Sequence, residues 1–206
     1  MTPENREEER ARGAPAFDIV ALAASAGGLN ALSAVLSELP GDLLVPVVVV
    51  QHLDPRNRSF IAEILDKRAA LKVTKAEQGV RLEAGLAYIA PPGQHLLVND
   101  DATIMLTKTG MVHFVRPSAD LLFESVAGSY RERAIAVVLS GIGSDGSMGV
   151  KAIKTTGGTV IAQDERTSEF FGMPGAAIDT GSVDFILPLE EIAGAIVTLV
   201  RGGGAA

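Results

Sequence analysis

Four valines in a row, Val47–Val50, together with the apolar runs Phe17–Ala24 and Ala134–Ser140, constrain this fold more than any other feature of the chain. A strand with one wet face alternates polar and apolar residues. A continuous run of Val, Ile and Ala instead marks a parallel strand covered on both faces. Each run also leads into a polar residue of a particular kind: Ser25 after the first, His52 after Val47–Gln51, and Asp145 in the glycine loop after the third. In an open parallel α/β sheet, ligands bind outside the carboxyl ends of the strands. A hydroxyl, an imidazole and a carboxylate delivered to that rim are the parts of a nucleophile–base–orienter triad.

Between these runs the pattern switches to helical spacing, as in Leu29, Leu32, Leu36 and Leu39. Further helices are predicted over 59–70 with Ser59 as N-cap, over 118–130, 146–156 and 174–179, and over 189–200. Strands are predicted at LKVTKA, TVIAQ and VDFIL. The segment from Gly85 to Val115 breaks the rhythm: LAYIAPP, QHLLVND and ATIMLTK are short runs punctuated by Pro91-Pro92-Gly93 and Asn99-Asp100-Asp101. That is hairpin punctuation. The expected fold is α/β: a three-layer, doubly wound, mostly parallel sheet with an antiparallel hairpin insert near residues 85–115. Residues 1–16 read as a disordered tail or linker stub, 17–200 as one catalytic domain, and 201–206 as a flexible C-terminus.

Composition narrows the chemistry. The chain of 206 residues has no cysteine, so thiolate catalysis and cysteine-ligated metals are excluded, and no metal or cofactor is expected. Only His52, His95 and His113 can supply an imidazole. A net charge of −7 opposes a nucleic-acid surface. The charged start lacks a signal-peptide core, and no apolar run reaches spanning length. The reading is a soluble cytoplasmic protein without membrane insertion.

Each candidate residue has a plainer alternative. Ser25, in Ala23-Ala24-Ser25-Ala26-Gly27-Gly28, would place its oxygen at the positive end of the following helix, where a developing oxyanion is favoured. The same loop could equally cradle a phosphate or simply cap the helix. His52 is aimed at the rim by a buried strand and can act as a base near neutrality; a hydrogen-bonded structural histidine is the alternative, and the preferred one for His95 and His113. Asp145 would orient the imidazole, or cap the helix starting near Ser147. Its loop, Gly141-Ile142-Gly143-Ser144-Asp145-Gly146, also spells a dinucleotide fingerprint, with Asp164 as the distal acid. A carboxylate at the helix N-terminus would repel the pyrophosphate of such a ligand.

The sequence resembles the catalytic domain of the chemotaxis-receptor methylesterases, the CheB family, from Phe17 to Val200. The matching blocks are ASAGGLNAL, VVVVQHLDP, GLAYIAPPGQHL, RPSADLLFESVA, RAIAVVLSGIGSDGSMGVKAIKTTGG, VIAQDERTSEFFGMPGAAIDTG and VDFILPL. The resemblance implies a serine hydrolase that demethylates γ-glutamyl methyl esters on cytoplasmic chemoreceptor helices, with glutamine deamidation as a second activity. It carries the nucleophile to Ser25, the base to His52 and the orienting acid to Asp145. It carries the oxyanion hole to the amides of Ala26 and Ile142, where many members have threonine and methionine. Gly27, Gly28, Gln51, Gly141, Gly143 and Gly146 would shape the site, with Arg116, Met173 and Pro174 at its entrance. For these last three, loop packing and a proline in the first helical turn are the alternatives. No receiver domain is recognisable in these residues, so control would fall to a receiver-domain or methyltransferase partner or to a segment outside these residues. The competing readings are a catalytically silent signalling or scaffold module of the same fold and a dinucleotide-binding protein.

Overall fold

The computed structural model describes residues 15–52 and 60–202. The expectations for residues 1–14, for Ser59 as a cap and for residues 203–206 lie outside that range. The first strands and helices are β1 (Ile19–Ala24), α1 (Gly28–Glu38), β2 (Val47–Gln51), α2 (Ile61–Asp66), β3 (Lys72–Lys75) and β4 (Leu86–Ile89). A hairpin of β5 (His95–Val98) and β6 (Ile104–Thr107) follows, then α3 (Ala119–Tyr130) and β7 (Ala134–Val138). The chain closes with α4 (Ser147–Thr155), β8 (Thr159–Gln163), α5 (Gly172–Asp179), β9 (Phe185–Leu187) and α6 (Leu189–Val200).

Seven strands form one sheet in the order β3-β4-β2-β1-β7-β8-β9, and every pairing is parallel. The valine run has the environment its composition requires, since every residue of β1, β2 and β7 is buried. Side chains alternate between the two faces along these strands. Val20, Leu22, Val47 and Val49 pack with α1, α2 and α6 on one face. Ala21, Ala23, Val48 and Val50 pack with α3, α4, α5 and the β5–β6 hairpin on the other. Each fully buried Leu or Ile in these layers contributes roughly 1.5–3 kcal/mol. No helix among the described residues is long and apolar enough to cross a membrane.

The antiparallel insert is narrower than its punctuation predicts. Among the described strands only β5 and β6 pair antiparallel, with isolated antiparallel bridges at Arg81–Thr103 and Val112–Val115, whereas Leu86–Ile89 joins the main sheet in parallel between β3 and β2. Gly85 is the turn residue that precedes a sheet strand, and Pro91-Pro92-Gly93 leads out of the sheet into the hairpin instead of turning one. At the N-terminal side, Ala16 N–H donates to Val200 O at 2.9 Å and Pro15 O accepts from Arg133 Nη2 at 2.8 Å, so both residues are tied to the body.

From β1 the chain first builds outward through β2 and then, after α3, returns to β1's other side as β7. The reversal of strand order lies at β1, and open sheets bind ligands at such a point.

Candidate active site

The parallel ladders continue one residue beyond the strand ends. Ala24 pairs with Gln51. His52 N–H then donates to Ala24 O at 3.0 Å, and Ser25 N–H to Ser140 O at 3.0 Å. Ser25, His52 and Ser140 therefore share one level of the rim. By alternation, Ser25 follows Ala23 and His52 follows Val50, both on the α3–α4 face, while Gln51 belongs to the α1 face.

On that face His52 Nε2 lies 2.7 Å from Asp145 Oδ2. Asp145, only 3% exposed, accepts three further hydrogen bonds: from Ala119 N at 2.6 Å, from Ser118 Oγ at 2.8 Å and from Asp120 N at 3.2 Å. These donors form the N-terminus of α3, whose dipole favours an anion. Burial pushes the Asp145 carboxyl up. The hydrogen bonds from His52, Ala119 and Ser118, with the attraction of the imidazole, outweigh burial and hold it below its ordinary value. Asp145 is thus kept ionised, and the nitrogen facing it, Nε2, must carry the proton.

The helix-cap alternative for Asp145 is realised on a different helix. Asp145 caps α3, while α4, which it precedes, is capped by Asp120: Gly146 N–H and Gly149 N–H donate to Asp120 Oδ1 at 2.9 and 2.8 Å. The two carboxylates cross-cap each other's helices. Gly146 makes this possible with φ 99°, a left-handed turn that glycine adopts without strain. For Asp120, burial raises the carboxyl, the Gly149 amide draws it back and Asp145 raises it again, with a net rise. Its Oδ2 is buried without a hydrogen bond among the described residues, and His113 Nε2 stands 3.4 Å away, an ion-pair distance without hydrogen-bond alignment. Neither Ser118 nor Asp120 was singled out from sequence; a Ser N-cap followed by an acid in the first turn was the available signal. A pyrophosphate at the start of α4 would meet the Asp120 carboxylate, which already accepts from the Gly146 and Gly149 amides. Asp164 is committed too, accepting from Thr167 N at 2.9 Å.

The serine turn is locked from both sides. Gln51 Nε2 donates to Ser25 O at 2.7 Å and to His52 O at 3.1 Å. A Cβ on Gly28 would fall 2.2 Å from Gln51 Oε1 and 2.8 Å from Ala24 Cβ, so a larger residue must displace the Gln51 side chain. A Cβ on Gly141 would lie 2.9 Å from Ser25 Cβ and 2.4 Å from Met173 Sδ. Ser140 Oγ donates to Ala26 O at 2.9 Å. Among the described residues, the N–H groups of Ala26 and Ile142 make no hydrogen bond. Gly143, at φ 90°, turns the loop between Ile142 and Asp145.

The entrance residues are placed differently from expectation. Met173 is 1% exposed and forms a floor beneath Gly141 and Ser25. Pro174 is buried in the first turn of α5, where a missing N–H costs nothing. Arg116 Nη1 donates to Lys108 O at 3.2 Å and Thr109 O at 2.8 Å, clamping its own loop. His95, fully buried, accepts from Ser118 N at 3.1 Å and faces Gly110 O at 3.0 Å, bracing the hairpin against α3.

A family model described as CheB methylesterase matches residues 20–196. A protein-glutamate methylesterase/protein-glutamine glutaminase of Moorella thermoacetica is 45% identical over 194 residues, covering 92% of this chain and 46% of that protein. One of the same description from Geobacillus kaustophilus is 44% identical over 204 residues, covering 96% of this chain and 58% of that protein. The chain thus spans about half the length of these relatives. The solved Thermotoga maritima CheB methylesterase catalytic domain superimposes with a TM-score of 0.86 at 37% identity, covering 89% of this chain and 99% of that one.

Proposed function

This chain belongs to the CheB methylesterase family, and from that membership we propose that it hydrolyses γ-glutamyl methyl esters on the cytoplasmic helices of chemoreceptors, and deamidates glutamines at the same site. The observation that carries the reading is the His52–Asp145 hydrogen bond of 2.7 Å set one strand away from Ser25 at the sheet's reversal point.

Ser25 Oγ attacks the ester carbonyl carbon while His52 Nδ1 takes the hydroxyl proton. The oxygen of the tetrahedral intermediate accepts from Ala26 N–H and Ile142 N–H; losing one such donor costs about 10²–10³ in rate. Collapse breaks the bond to the methoxy oxygen, which leaves as methanol with the proton from His52. Water then gives a proton to His52 and adds to the acyl-serine. The second collapse frees the glutamate carboxylate and returns the proton to Ser25. With a glutamine substrate the leaving group is ammonia. Asp145 stays ionised throughout and supports the imidazolium. The substrate places the protein in the cytoplasm, with a receiver-domain or methyltransferase partner supplying control.

Methanol release from methylated receptor fragments tests this. Ser25→Ala is expected to lose at least about 10³-fold in kcat and to keep the wild-type circular dichroism spectrum. Undiminished turnover would sink the assignment.

A further inference from the structure

We propose that Glu169 sets the charge preference of this site, disfavouring anionic acyl groups and admitting neutral or cationic ones; the proposal rests on the esterase reading above. Glu169 reaches the site from the loop between β8 and α5. That loop is pinned across the serine turn. Phe170 N–H donates to Ser140 Oγ at 3.0 Å, Ser140 Oγ donates to Ala26 O at 2.9 Å, and Gly141 N–H donates to Phe170 O at 2.9 Å.

Held this way, the Glu169 side chain lies over Gly27, two residues beyond Ser25. A Cβ on Gly27 would stand 2.8 Å from both Glu169 Cβ and Glu169 Oε2, so the Glu169 side chain fills the space that a side chain at 27 would need. Gly27 has φ 71° and immediately precedes α1, so the acid sits beside the turn that would receive the oxyanion. Among the described residues no cation pairs with Glu169 and no N–H or O–H donates to it. Among the described residues, its charge is uncompensated.

The consequence follows from the reaction itself. The substrate ester is neutral and the product is a carboxylate. A fixed negative charge beside Ser25 repels the product and leaves the ester untouched. It helps product depart and discriminates against substrates with an acid close to the scissile bond. Glu169 is exposed, so the discrimination is modest, about threefold to fivefold, and screened by salt.

Three p-nitrophenyl esters test it: acetate (neutral), hydrogen succinate (anionic) and a trimethylammonio-acid ester (cationic). The readout is the ratio of kcat/KM values, because a charge that only opposes the oxyanion slows all three alike. The neutral-to-anionic ratio is expected to fall about threefold in Glu169→Gln and further in Glu169→Lys, and the difference to vanish near about 0.5 M salt. Glu169→Leu should match Glu169→Gln, which separates charge from packing. Unchanged ratios in an active enzyme overturn the role of Glu169 alone. Failure of the wild type to hydrolyse any of the three above the Ser25→Ala background overturns the esterase reading, and this proposal with it.

Discussion

His52 meets Asp145 through Nε2, 2.7 Å from Oδ2, so the ring nitrogen turned away from the carboxylate is Nδ1, the one nearer the main chain. A histidine that reached its acid through Nδ1 would project Nε2 outward instead. Here the ring turns its far edge inward to the α3 N-terminus and keeps its near edge beside the ends of β1 and β2.

That relationship fixes a tautomer. In its uncharged form His52 is expected to carry hydrogen on Nε2 and a lone pair on Nδ1. Long-range ¹H–¹⁵N correlation spectra of the ring nitrogens read this directly, and a neutral ring protonated on Nδ1 contradicts it.

Asp145→Asn removes more than a charge. The carboxylate accepts from four donors: His52 Nε2, Ala119 N, Ser118 Oγ and Asp120 N. A carboxamide has one acceptor oxygen, so at least one N–H must face another N–H. We expect kcat to fall roughly 10³–10⁴-fold, as when an imidazole is forced into the wrong tautomer, and stability to drop by about 1–3 kcal/mol. Steady-state kinetics and urea melts measure the two losses separately.

Asp120 and Asp145 make opposite contributions to pH-dependent stability. Asp145 is held below its unfolded value of 3.8, so its stabilisation is present above that pH and is lost as pH falls through the lower folded value. Asp120 is raised above 3.8, so its contribution is full below that pH and is lost as pH rises through the raised value. Asp120→Asn keeps an acceptor for Gly146 and Gly149 and should abolish the second decline while preserving the first. Asp120→Ala leaves both amides unpaired and should cost about 2–4 kcal/mol. Urea unfolding from about pH 3 to pH 7 distinguishes the variants.

Gly141→Ala and Gly28→Ala probe the walls of the serine turn. The new methyl at 141 lands 2.9 Å from Ser25 Cβ and 2.4 Å from Met173 Sδ and must displace Ser25 or the flexible Met173. At 28 it strikes Gln51, the side chain that holds the carbonyls of Ser25 and His52. A shift of about 1 Å at such a centre costs about 10²-fold in kcat. Both variants should show that loss with a stability cost of about 1–3 kcal/mol. Wild-type kcat in Gly141→Ala would mean that Met173 alone absorbs the clash.

The parts legible in sequence are those written in short periods. Continuous Val and Ile runs define β1, β2 and β7, and their ends deliver Ser25 and His52 to the rim without knowledge of the fold. Leu86–Ile89 reads as a hairpin arm in sequence because the five residues between Gly85 and Pro91 carry no signal separating a sheet strand from a hairpin arm. The sequence places Met173 at the entrance, although it is buried, because a motif gives a residue's neighbours in the chain and not its depth.

By itself the sequence determined the α/β class, the family and the three residue types brought to one edge, since periodicity, strand ends and motif spacing are local properties of the chain. The tertiary structure decided which nitrogen of His52 meets Asp145, that Asp145 caps α3 while Asp120 caps α4, and that Glu169 overhangs Gly27. The physical reason is separation: His52 and Asp145 are 93 residues apart, Asp145 and its α3 donors 25–27, and Phe170 and Ser140 30. A hydrogen bond depends on position to a few tenths of an ångström, and across such spans only the packed sheet and its helices fix position that finely.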